Sequence, residues 1–373
     1  MSATRKWLYA STVLVVTVAA IALLAIAAEF AVRARNYLKY GELFWGVEQT
    51  YEVDALTGLR IPVPNGHFGH IRINSLGFRS PEIVVPKPPD TVRLAFLGAS
   101  TTYCAEVSGN EAAWPEQVWR KLEQALPGVK LDYVNAGVPG YGVGTSQMNL
   151  ERRVAPLAPD VIVYYEATND LKGNSFALAQ AAGLAQRRTE QQFLWPAKYS
   201  LLWYLAEKNL RVLEQGRAAK ETRTLVVDRD RLTTPFRRDL TAFVAAAHRI
   251  TSTVVLVTFS SRLRRSQSAE EQARAAQTDL YYMPYMSVDA LLDAYEAYND
   301  VIRGVARQEG AVLIDGEDSI PGDALHFADS VHFTDRGSAA MASRVTEGLL
   351  ASDLVRARLE GVARSPVATA VTE

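Results

Sequence analysis

The chain of 373 residues holds a single cysteine, Cys104. That excludes an intramolecular disulfide and a zinc site built from cysteines, and it says nothing about compartment. An excess of charge of one sign is also missing, since the formal net charge is −1 at pH 7. No basic field draws the molecule to nucleic acid, and no acidic tail suggests a solvating arm. A nucleotide-binding loop is missing too. The run from Gly137 to Gly144 is glycine-rich, but Pro139 and the lack of a Gly-Lys-Ser/Thr ending set it apart.

With 48% hydrophobic and 22% charged residues, the chain has the composition of a globular protein with a substantial core. From Trp7 to Ala28 there is no charge, with Arg5 and Lys6 before the run and Glu29, Arg33 and Arg35 after it. Residues 7–28 therefore read as a single-pass transmembrane anchor. A cleaved leader is the alternative, because Ala25-Ile26-Ala27 fits a small-residue cleavage pattern; the run exceeds the roughly 7–15 residues of such a leader's apolar segment. The flanking cations balance, so orientation is not set. Both readings place the main domain outside the cytoplasm, in the periplasm or at the cell surface.

Residues 29–90 read as a leader packed on the main domain: helical at first, then irregular, with a short strand and turn at Ile71-Arg72-Ile73-Asn74 and a proline-marked end at Pro86 to Pro89. Over 91–362, apolar runs alternate with helical patterns. The runs are Val92 to Leu97, Leu131 to Val134, Val161 to Tyr165, Val254 to Phe259 and Ala311 to Ile314. The helices are Glu111 to Leu126, Thr145 to Leu157, Pro235 to Ile250, Val288 to Gln308 and Asp335 to Leu359. Continuous Val, Ile and Leu strands with intervening helices predict a three-layer α/β/α sandwich around a parallel five-stranded sheet.

Residues 171–234 exceed what a crossover needs and contain Phe193-Leu194-Trp195 and Leu201-Leu202-Trp203-Tyr204-Leu205. They read as a helical insertion with three possible roles: a lid or acyl pocket, a segment lying on the membrane, or a helix packed on the domain core. Residues 363–373 read as a flexible tail.

Function in such a sheet gathers at the carboxyl ends of the strands. The last strand leads to Asp329-Ser330-Val331-His332, a carboxylate and an imidazole three residues apart. The first ends in Gly98-Ala99-Ser100, the second in Asn135-Ala136-Gly137, and the third in Ala167-Thr168-Asn169-Asp170. Ser100 suits a hydroxyl nucleophile, His332 its general base and Asp329 the acid that orients the imidazole. The backbone N–H groups of Gly137 and Ser100 and the Asn169 amide suit donors to an oxyanion. Each piece alone also fits a turn or a helix cap. A metal reading of His326, Asp329 and His332 with Asp315, Glu317 and Asp318 fits no compact ligand spacing, and no cofactor or metal is expected. Cys104 reads as a small buried hydrophobe rather than a nucleophile.

In order and context, Ser100, Gly137, Asn169 and His332 resemble the SGNH hydrolases, the GDSL esterase/lipase superfamily, over about residues 92–359. The resemblance implies a flavodoxin-like fold and acyl-enzyme chemistry on an ester, with the roles just given. Its serine block commonly reads Gly-Asp-Ser and its third block Gly-x-Asn-Asp, whereas this chain has Ala99 and Ala167. The implied substrates are O-acetyl groups of a surface polysaccharide or a lipid ester, with O-acetyl transfer to an extracytoplasmic glycan as the alternative. A non-catalytic glycan-binding or scaffold protein of the same fold stays open.

Overall fold

The computed structural model describes residues 3–40, 50–185, 194–219 and 224–363. Helix α1 (Ala3–Tyr40) is followed by two small antiparallel hairpins, β1 (Tyr51–Val53) with β2 (Arg60–Pro62) and β3 (His67–Phe68) with β4 (Ile71–Arg72). Then come β5 (Thr91–Gly98), α2 (Ser100–Tyr103), α3 (Trp114–Ala125), β6 (Lys130–Asn135), α4 (Val143–Asn149), β7 (Val161–Tyr165) and α5 (Thr168–Ala181). The second half holds α6 (Leu201–Ala219), α7 (Arg229–His248), β8 (Val254–Val257), α8 (Ala269–Ala275), α9 (Gln277–Tyr282), α10 (Val288–Glu309), β9 (Val312–Ile314), α11 (Asp335–Ala351) and α12 (Asp353–Ala363).

The last five strands form one parallel sheet in the order β6-β5-β7-β8-β9. Helices α3, α11 and α12 pack on one face, and α4, α5, α7 and α10 on the other. This is the expected α/β/α sandwich. Strands β5, β7 and β8 are buried at every residue, which is why they read as unbroken apolar runs rather than alternating ones. The exception is Arg93, buried in β5. Its guanidinium binds Asp132 at 2.6 and 2.8 Å and the carbonyls of Leu157 and Val84, so no charge is left unpaired.

Several boundaries differ from expectation for local reasons. Helix α7 begins six residues before Pro235, because the Asp228 side chain accepts from the backbone N–H groups of Asp230 and Arg231 and caps it. The helix expected over 145–157 is α4 followed by a π turn, Leu150–Val154, and a 3-10 turn, Ala155–Leu157. The pattern from Asp335 to Leu359 breaks at Ser352 into α11 and α12. The start of the expected insertion belongs to α5, which buries Leu171, Ser175 and Ala179. Phe193 and residues 364–373 lie outside the described residues.

Two compact units make up the chain: Met1–Gln49 with Arg188–Arg217, and Thr50–Arg187 with Ala218–Glu373. In the first, α1 is long and apolar enough to cross a membrane, and α6 packs beside it. The sheet and the hairpins make the second.

Candidate active site

The strand order reverses at β5 and β7, and the loops leaving their carboxyl ends define the site. Gly98 ends β5 at φ +151°, where a Cβ would sit 2.2 Å from the Tyr165 carbonyl oxygen. Only glycine fits that approach, and it delivers Ala99 and Ser100 to the sheet edge. Ser100 opens α2, whose end and following loop are gathered by a buried residue of the leader: Arg79 donates to the carbonyls of Tyr103 (2.7 Å), Cys104 and Gly109 (2.8 Å). Cys104 caps this short helix in the left-handed region and is buried, which pushes its thiol up to about 12 and leaves it inert.

Asp329 performs two tasks with one carboxylate. Its Oδ1 accepts from the N–H groups of Val331 and His332, both at 2.9 Å, closing an Asx turn; its Oδ2 lies 2.8 Å from His332 Nδ1. The opposite ring nitrogen, Nε2, lies 2.8 Å from Ser100 Oγ. With Nδ1 protonated toward Asp329, Nε2 accepts the serine hydroxyl proton, which is the geometry a hydroxyl nucleophile and its base require. Ser330 holds the turn from behind by accepting from the Thr278 and Asp279 N–H groups.

The expected oxyanion donors are not equally free. Asn169 Nδ2 gives one hydrogen to the Tyr141 carbonyl at 3.0 Å, which leaves its second. The Gly137 N–H already donates to Asn135 Oδ1 at 3.1 Å. A Cβ on Gly137 would meet the Tyr103 nitrogen at 2.7 Å, so close packing against α2 requires glycine there. Asp170 accepts from the Val143 N–H and anchors the far end of the same loop.

Neither departure from the family pattern disturbs this frame. Ala99 is buried against Val138 and Tyr141, with Tyr51 of the leader packed on them. An acid there would be desolvated. Ala167 has φ −155° and ψ −32°, a negative φ that does not demand glycine.

Three carboxyl groups that the sequence reading passed over surround the imidazole. Glu166 is fully buried at the end of β7; it accepts from the Asn169 N–H at 2.7 Å and from the Thr101 hydroxyl at 3.3 Å, clamping the Asn169 loop to α2. Burial, only partly offset by the Asn169 N–H, pushes its pKa up to about 8. A lone acid closing the apolar run Val161 to Tyr165 was the available signal. Glu106 Oε1 stands 4.0 Å from His332 Nδ1, and loss of hydration raises its pKa. Asp279, buried in α9, is pushed to about 7 for the same reason. His332 itself is pushed down by burial, but Asp329, Glu106 and Glu166 outweigh this and bring it to about 9. Burial would raise Asp329, yet the hydrogen bonds from His332 and Val331 hold it below the ordinary carboxylate range.

The residues considered for a metal are engaged elsewhere. His326 pairs with Asp323 at 2.8 Å, Asp315 and Glu317 with Arg303, and Asp318 with Arg264 at 2.9 Å. The leader also borders the site: Tyr141 donates its hydroxyl to the Arg60 carbonyl at 2.6 Å, and the Arg60 guanidinium lies 4.3 Å over the Tyr51 ring and bonds the Pro139 carbonyl.

Residues 96–340 match the GDSL-like Lipase/Acylhydrolase family. Solved structures with a similar chain path include a variant of an acetyl xylan esterase from Geobacillus stearothermophilus (14% identity, 69% of this chain and 94% of that one, TM-score 0.42). An alpha/beta hydrolase enzyme from the metagenome of Lake Arreo, Spain, is 16% identical over 74% and 97% of the two chains, with a TM-score of 0.41. The lipase/acylhydrolase from Enterococcus faecalis is 15% identical over 69% and 95%, also at 0.41. A search of curated proteins returned no match.

Proposed function

The chain belongs to the GDSL-like lipase/acylhydrolase family, and from that premise we propose that it is a serine esterase in which Ser100 attacks the ester carbonyl. The observation that supports this most directly is the run of two 2.8 Å contacts from Ser100 Oγ through His332 to Asp329. His332 Nε2 takes the hydroxyl proton as the Oγ–carbon bond forms. The resulting oxyanion draws on the Ser100 N–H, the second hydrogen of the Asn169 amide and the Gly137 N–H, the last shared with Asn135. The imidazolium then protonates the leaving alcohol oxygen as the ester C–O bond breaks. Water, deprotonated by the same nitrogen, releases the acid from the acyl-enzyme.

Ala99, next to Ser100, packs on Val138 and Tyr141 with Tyr51 against them, and the Arg60 guanidinium lies 4.3 Å over the Tyr51 ring. With the domain carried outside the cytoplasm, the substrates favoured here are O-acetyl groups of a surface polysaccharide. The domain works outside the cytoplasm, held at the membrane by residues 7–28. Fluorophosphonate labelling tests the nucleophile: wild type should form one serine adduct, and an adduct surviving Ser100→Ala would overturn the assignment. Product analysis with a chromogenic acetyl ester and added oligosaccharide separates hydrolysis from transfer to a sugar hydroxyl.

A further inference from the structure

The apolar run Trp7 to Ala28 is 22 residues, about 33 Å of helix, close to the roughly 30 Å of a bilayer's hydrocarbon core. Glu29 follows it at once, and α6 is fastened there. The Glu29 carboxylate accepts from the backbone N–H groups of Leu201 and Leu202, both at 2.9 Å, and from the Ser200 hydroxyl at 2.8 Å. Arg33 binds Glu29 at 2.7 Å and the Tyr199 carbonyl at 3.1 Å. One helix thus caps the other, and the cap sits where the apolar span ends.

A second carboxylate folds the segment before α6 back onto it. Glu207 accepts from the Leu194 N–H and from the Trp203 indole, both at 3.2 Å, and pairs with Arg211. The Trp203 hydrogen-bonding group is satisfied inside the unit. Its ring, however, is left 45% exposed, beside Trp195 at 78%, Tyr199 at 63% and Leu194 at 58%. Between the helices runs a groove of about 610 Å³ whose walls include Ala25, Ile26 and Phe30 of α1 and Leu202, Trp203 and Ala206 of α6.

We propose that α1 and the segment 194–211 form a two-part membrane module, in which the apolar edge of Leu194, Trp195, Tyr199 and Trp203 lies in the headgroup layer and the groove takes a phospholipid acyl chain. The proposal rests on residues 7–28 being an anchor. The occupant follows from position: a surface fixed at the end of a span has the bilayer interface at its level, the zone where Trp and Tyr rings are favoured.

The test uses the full chain in phosphatidylcholine/phosphatidylglycerol vesicles. Leu194→Cys, Trp195→Cys and, as a water-facing control, Glu270→Cys are each labelled with a fluorophore, the parent with its buried Cys104 serving as the blank. Lipids carrying a headgroup nitroxide should quench the probes at 194 and 195 about three-fold or more above the probe at 270, with iodide giving the reverse order. Adding Glu29→Ala should erase that difference while the chain still floats with vesicles; a difference that survives it would overturn the role of the cap. A chain that floats but shows equal quenching at all three sites would overturn the module and leave the anchor. Protection from iodide without lipid quenching would mean that protein covers the edge, and would also overturn it. A chain that does not float removes both readings.

Discussion

Glu106 Oε1 stands 4.0 Å from the same His332 nitrogen that Asp329 Oδ2 approaches at 2.8 Å, so the imidazole carries two carboxylates on one edge. Glu106 is held there by its own loop: the Ser108 N–H is fixed by Asp335 at 2.8 Å, and Arg79 ties down Gly109 and Asn110. A second acid at that distance can support an imidazolium when the first is lost. Removing the triad acid costs about 10⁴-fold in the well-studied serine protease case. Here Asp329→Ala should lose only about 10²-fold in kcat/KM, and Asp329→Ala with Glu106→Gln should lose the rest. Equal rates for the single and double variants on a chromogenic acetate would show that Glu106 gives no support.

The base form of His332 dominates only above its pKa of about 9, so kcat/KM should climb through neutral pH and level off near that value. Glu106→Gln removes a negative charge and should shift the plateau to lower pH. The stability sign runs the same way. A folded-state pKa above the ordinary 6.5 gives a contribution fully present below about pH 6.5 and lost as pH rises toward 9. Urea midpoints of wild type and His332→Ala should therefore differ more at pH 6 than at high pH. A rate profile already flat from pH 7 would contradict the raised pKa.

Glu166 titrates in the opposite sense for stability. Its folded-state pKa of about 8 exceeds the ordinary 4.5, so the unfolded chain ionises first, and wild type should lose stability as pH rises between those values. Glu166→Gln keeps an acceptor for the Asn169 N–H and removes the acid, and should flatten that decline in urea melts. Glu166→Ala also frees the Asn169 loop and should lower kcat about 10- to 100-fold with little change in KM. A drop in KM alone would speak against a positioning role.

Asn169→Ala takes away the one side-chain donor that has a hydrogen to spare. A loss of about 10²- to 10³-fold in kcat is expected, with the Ser100 adduct still forming slowly with fluorophosphonate. A loss under about three-fold would move the oxyanion site elsewhere.

Gly98→Ala adds a Cβ 2.2 Å from the Tyr165 carbonyl oxygen at a φ that disfavours any side chain. Destabilisation of about 3 kcal/mol or more is expected in denaturant melts, and a smaller value would show that the β5 turn can shift.

The sheet and the strand-end positions of Asp329, His332 and Ser100 were legible because strands buried on both faces, and short spacings such as Asp-x-x-His, are written locally. What escaped depends on contacts between distant segments. Glu106 meets His332 only through the fold, and nothing in Ala105-Glu106-Val107 announces it. Pro235 drew attention from the stronger start signal, the Asp228 cap. Of the leader's hairpin strands only the one at Ile71-Arg72 was legible; the others read as irregular because they are two or three residues long.

Arg79 carries a consequence for where the enzyme begins. The family match starts at residue 96, yet the carbonyls of Tyr103, Cys104 and Gly109 depend on a guanidinium seventeen positions upstream of it. A fragment trimmed to the match would start without that donor and without Tyr51 and Arg60 beside the Gly137 loop. A fragment that keeps these contacts is longer than the homologous segment and begins near Thr50, in residues whose own sequence advertises no chemistry.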